Sequence, residues 1–124
     1  MALEEIDFSG DSFEDITAKD RRYAPRAYAL LMDVLRYLEE DGGGGGYGAD
    51  DIMDEFRERT LDQYGPMSYT VLTEWGVTRC EDIGEMMLNL AEGRRVKKPE
   101  GDAIESFLGG YDFKEAFLGP YSAA

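Results

Sequence analysis

Apolar positions return every three or four residues along most of this chain, which is the spacing of one buried face on an α-helix. In RAYALLMDVLRYLEE, residues 26–40, Ala27, Leu31, Val34, Leu35 and Leu38 share one side, and Pro25 suits the first helical position, where its missing N–H costs nothing. The pattern predicts a central helix. The same period resumes in ADDIMDEFRERTLDQY, residues 49–64, through Ile52, Met53, Phe56, Thr60 and Tyr64, with Asp50, Asp51 and Asp54 near the positive end of the helix dipole. In QYGPMSYTVLTEWG, Gly65 permits a left-handed exit from that second helix and Pro66 pre-sets a third. Val71, Leu72 and Trp75 form the buried side of the third helix until Gly76 ends it. Thr78 and Glu81 have the spacing of a capping box, opening a fourth helix that carries Cys80, Ile83, Met87 and Leu90 and closes at Gly93.

The ends of the chain are patterned differently. Residues 1–10 hold scattered apolar positions and predict a weakly ordered N-terminus; Phe13 and Ile16 in DSFEDI predict one short amphipathic helix capped by Asp11 or Ser12, with Asp15 at the box position. The five glycines at 42–46 stop the central helix and predict a mobile connection. A phosphate loop is excluded there, since neither its lysine nor its preceding strand is present. In RRVKKPEGDAIESF, Val96 lies between basic pairs and a Pro-Glu-Gly-Asp turn precedes Ile104 and Phe107, which predicts a short two-stranded β-hairpin. Asp112 and Glu115 form another box, around a short C-terminal helix whose Phe113 and Phe117 fold back on the core. The expectation is a mainly α, compact domain over residues 11–121: four main helices, a short β-hairpin and a short C-terminal helix, an order open to a winged-helix-like form.

Composition narrows the functions. The 124 residues fit one domain with an ordinary core, and 27 acidic against 13 basic residues give a net charge of −14. Such a charge repels nucleic acid at long range. The sequence contains no histidine, so the commonest neutral-pH general base and the commonest zinc ligand are missing, and Cys80 is a single cysteine, which excludes an internal disulfide and a cysteine ligand cluster. No cofactor or metal is expected. The N-terminal stretch lacks a basic region followed by an apolar run, and no stretch of 18 apolar residues occurs, so the expectation is a cytoplasmic protein rather than a membrane one.

Certain residues resemble a family of uncharacterised bacterial hypothetical proteins, the Minf-type family of planctomycetes, verrucomicrobia and related groups. They are Asp20, Arg22 and Tyr23; Gly65, Pro66 and Met67; Glu74, Trp75 and Gly76; Asp82, Gly84, Asn89 and Leu90; and Gly110, Tyr111, Asp112, Phe113, Ala116 and Phe117. The resemblance covers about residues 10–121. Its departures are the glycine tract, where relatives have a histidine-containing lead into the second helix, and the more basic segment 94–98. The resemblance implies no activity, cofactor or partner, because the family has none to transfer.

Three functional readings follow. In a nucleic-acid binder, Arg94, Arg95, Lys97 and Lys98 on the hairpin would meet phosphates, but the helix before it would present Glu81, Asp82, Glu85, Asn89 and Glu92 to the groove. An enzyme would rest on carboxylate pairs such as Asp50 with Asp54 or Asp51 with Glu55, or on Cys80 at a helix start; no residue is assigned a catalytic role, and the stripe containing Cys80 marks it as a buried structural thiol. The third reading is a protein-interaction or adaptor domain with a protein partner, its oligomeric state left open. Here Arg22, Tyr23, Glu74, Trp75, Tyr111 and Asp112 are either an interface anchor or an internal network, Arg22 pairing with Glu74 or Asp112 and Tyr23 packing on Trp75.

Overall fold

Helices form where the three-and-four spacing is strongest. The computed structural model describes residues 13–41, 47–93 and 103–121, so the expectations for residues 1–10, the caps Asp11 and Ser12, the glycine tract and Arg94, Arg95, Lys97 and Lys98 lie outside the described residues. Helix α1, Glu14–Lys19, buries Ile16, and Phe13 at its N-cap stacks on Tyr28 with ring centroids 5.9 Å apart. Helix α2, Pro25–Asp41, starts at the proline. It buries Ala27, Leu31, Val34 and Leu35 as the spacing predicts, together with Tyr28 and Leu30, so its apolar face is broader than the sequence pattern alone indicates.

Helix α3, Ala49–Tyr64, buries Ile52, Met53, Phe56 and Thr60. The Thr60 hydroxyl donates to the Phe56 carbonyl at 2.6 Å, which satisfies a polar group inside the core. Gly65 leaves α3 at φ +51, and Gly65–Met67 makes one 3₁₀ turn before α4, Ser68–Glu74. Within α4, Leu72 is fully buried while Val71 and the capping Trp75 just beyond the helix are half-buried, and Trp75 meets the Tyr64 ring edge-on at 5.6 Å. Helix α5, Cys80–Glu92, buries Cys80, Ile83, Met86, Met87 and Leu90 and stops at Gly93. Two short helices complete the described chain: α6, Ala103–Ser106, and α7, Phe113–Phe117, followed by a second 3₁₀ turn, Gly119–Tyr121. At α7 the Asp112 half of the predicted box is formed, with Glu115 N–H donating to Asp112 Oδ2 at 3.0 Å, and Phe113 and Phe117 are buried.

The hairpin expectation is corrected: among the described residues there is no β-strand, and Ala103–Ser106 is helical. Ile104 and Phe107 stand three apart, a helical step rather than the two-residue step of a strand, and Leu108 N–H bonds the Glu105 carbonyl as a continuing turn does. The winged-helix-like form goes with it. The fold is a mainly α domain whose core lies between α2, α3 and α5, with α4 and α7 closing over α3 and α6 against α5. No helix among the described residues is long and apolar enough to cross a membrane.

Candidate functional site

The loop between α1 and α2 is tied to α2 and α5 by a cluster of polar side chains. Arg22 grips Asp20 through Nε at 3.0 Å and Nη2 at 2.7 Å, and the same Nη2 reaches Glu85 Oε1 on α5 at 3.0 Å. Asn89, one turn further along α5, donates to Asp20 Oδ2 at 2.9 Å and to the Tyr28 hydroxyl at 3.0 Å. The Arg22 guanidinium beside Asp20 holds that carboxyl well below the usual carboxylate range. Arg22 therefore pairs with Asp20 and Glu85 rather than with Glu74 or Asp112.

Tyr23 is buried, and its hydroxyl donates to Asp82 Oδ1 at 2.6 Å. Its ring meets Tyr28 edge-on at 6.3 Å instead of packing on Trp75. Asp82, buried in the first turn of α5, accepts with its other oxygen from Thr78 N–H at 2.9 Å, from Arg79 N–H at 3.1 Å and from the Thr78 hydroxyl at 3.3 Å. Thus the carboxylate closing the start of α5 is Asp82, not Glu81, and neither Asp82 nor Asn89 belongs to a solvent-facing acidic side. Burial, and then the Asp82 carboxylate, push the Tyr23 hydroxyl far above its ordinary value. The hydrogen bond from this hydroxyl to Asp82 holds the loop to the helix.

The side chains of the remaining sequence candidates make other contacts. Glu74 is exposed at the end of α4; Trp75 contributes its carbonyl, which accepts from Ala24 N–H at 3.0 Å. Tyr111 donates to the Met53 carbonyl at 2.8 Å, and its own carbonyl lies 3.6 Å from Cys80 Sγ, while Asp112 caps α7. Burial pushes the Cys80 thiol up to about 11, so it stays protonated near neutrality. Asp51 bonds Gly48 N–H at 2.9 Å and Glu55 pairs with Arg59 at 3.1 Å, which makes these carboxylates helix supports. No group of three or more metal-ligating side chains is assembled among the described residues. An open cleft of about 290 Å³ lies at the start of α5 between Arg79, Cys80 and Tyr111, and another of about 220 Å³ between Lys19, Asn89 and Glu92. Both are smaller than most small-molecule sites.

A different surface went unrecognised in the sequence. The two 3₁₀ turns, Gly-Pro-Met at 65–67 and Gly-Pro-Tyr at 119–121, meet through the Tyr121 side chain, its hydroxyl standing 3.9 Å from where a side chain on Gly65 would begin. Met67, Leu118 and Tyr121 are 55%, 38% and 46% exposed. Residues 63–73 and 116–121 contain no charged residue, although 32% of the whole chain is charged. The repeated Gly-Pro-x-Ser at 65–68 and 119–122 was the available signal.

Compared with family models, curated proteins and solved structures, the chain shows no match.

Proposed function

We propose that this chain is a soluble, cytoplasmic protein-interaction domain that docks partners through the uncharged face around Met67, Leu118 and Tyr121. The observation that carries this reading is the exposure of three large apolar side chains on adjoining turns that hold no charge, in a strongly acidic chain. Interface centres are depleted of charge and enriched in aromatic residues and methionine. The polar cluster around Asp20, Arg22, Tyr23 and Asp82 supports the reading in a second way, because its groups are engaged with one another and serve the fold. The Minf-type resemblance adds membership of a bacterial family to the proposal and no activity.

The test is affinity capture from a cell lysate with the full chain, a Met67→Ser/Tyr121→Ser variant and a Tyr37→Ser control, Tyr37 being an exposed aromatic on α2. The double variant is expected to melt like the wild type and to lose the captured protein, while the control retains it. Recovery of the same proteins by all three chains would overturn the reading.

A further inference from the structure

We infer that the occupant of this uncharged face is a short segment of a partner protein, with one or two apolar anchor side chains flanked by lysine or arginine. The inference rests on the interaction reading above and names the partner's chemistry. Size is the first argument. Three large exposed side chains grouped on two turns make a small patch, below the roughly 800 Å² per partner of a stable globular interface. It suits an anchored segment better than a second folded surface.

Charge is the second argument. Exposed acids flank the segments of this surface along the chain: Asp62 one turn before Gly65 on α3, Glu74 at the end of α4, and Glu115 beside Lys114 one turn before Leu118 on α7. Lys114 is the one cation of α7. A second copy of the chain would bring its own acids to the same boundary, on top of a net charge of −14 per chain. A segment with flanking cations is instead attracted over long range and meets carboxylates at the rim. The anchor itself meets Met67, whose unbranched thioether adapts to apolar shapes, beside the flat ring of Tyr121.

Calorimetric titration of the full chain with two synthetic peptides tests this: an amphipathic leucine–lysine peptide, and a serine–lysine peptide of equal length and charge. The leucine–lysine peptide is expected to bind at least about tenfold more tightly. Met67→Ser/Tyr121→Ser should erase that advantage and leave serine–lysine binding unchanged, with a wild-type melting curve showing that the variant is folded. Equal affinity for the two peptides, or an advantage that survives the double substitution, would overturn the inference. So would dimerisation of the wild type in sedimentation that the double substitution abolishes, if no peptide preference is seen, since the occupant would then be a second copy. Loss of lysate capture in the double variant without any peptide preference leaves the docking reading standing and removes this one; unchanged capture without a peptide preference removes both.

Discussion

Asp82 is bonded through both carboxylate oxygens, one to the Tyr23 hydroxyl and the other to the Thr78 and Arg79 amides and the Thr78 hydroxyl. Removing it leaves a buried phenol and two helix-start donors without partners. Asp82→Ala is therefore expected to destabilise the domain by about 2–4 kcal/mol, against about 1–2 kcal/mol for Tyr23→Phe, which frees a single carboxylate oxygen. The two changes share one bond, so their costs in the double variant should fall short of additive. Urea unfolding of the three variants measures this, and an Asp82→Ala chain as stable as wild type would refute the assignment of Asp82 as the residue that holds loop to helix. Arg22 is a contrasting case. Its side chain is 53% exposed, so its pairs with Asp20 and Glu85 contribute no more than about 1 kcal/mol after solvent screening.

The same loop meets the end of α4, and there the constraint is backbone geometry. Gly76 sits at φ +90, and a Cβ at that position would run into the carbonyl oxygen of Arg22. Beside it, Ala24 N–H bonds the Trp75 carbonyl at 3.0 Å and Val77 N–H bonds the Leu72 carbonyl at 2.9 Å. Gly76→Ala combines a left-handed penalty with a backbone collision and is expected to cost more than about 2 kcal/mol. Gly65→Ala, also at positive φ but with its nearest neighbour at 3.9 Å, should cost about 1–3 kcal/mol, from its sparsely populated backbone conformation alone and without the collision. Thermal melts that placed Gly65→Ala as the more damaging change would contradict this account. Much of the element plan was legible in the sequence, because Pro25, Gly65, Gly76 and Gly93 punctuate clear three-and-four spacing. The cap of α5 was not: Thr78 with Glu81 matches the box pattern, and only the path of the chain shows that Asp82, one residue later, turns back on the Thr78 and Arg79 amides. Around Ile104 and Phe107 the preceding Pro-Glu-Gly-Asp resembles a hairpin turn and points to strand, although their spacing of three is helical. Exposure of Met67 depends on where α7 and Tyr121 dock, long-range information that no local pattern carries.

For the molecule as a whole, charge and burial act on stability in separable ways. A net charge of −14 makes the folded chain repel itself, and salt shortens the reach of that repulsion to about 8 Å at physiological ionic strength. Unfolding free energy at neutral pH should therefore rise between low and moderate salt. Alkaline pH acts through protons instead. The hydroxyls of Tyr23, Tyr28 and Tyr111 and the Cys80 thiol are all held above their ordinary values of 10.0 and 9.0, chiefly by burial. Because the folded chain keeps these protons where the unfolded chain releases them, their contribution is complete below the ordinary values and is lost as pH rises through and beyond them. Stability should accordingly fall from about pH 9 upward. Salt should lift the whole curve without moving that fall, since desolvation of a buried phenol is not screened by ions in the solvent. Tyr111→Phe removes one of the linked protons, so its stability should decline less steeply above pH 10. Urea unfolding from pH 7 to 11 at two salt concentrations, on wild type and Tyr111→Phe, reads both effects at once. Identical alkaline slopes in the two chains, or a fall that high salt abolishes, would show that surface repulsion rather than the buried hydroxyls governs the alkaline limit of the fold.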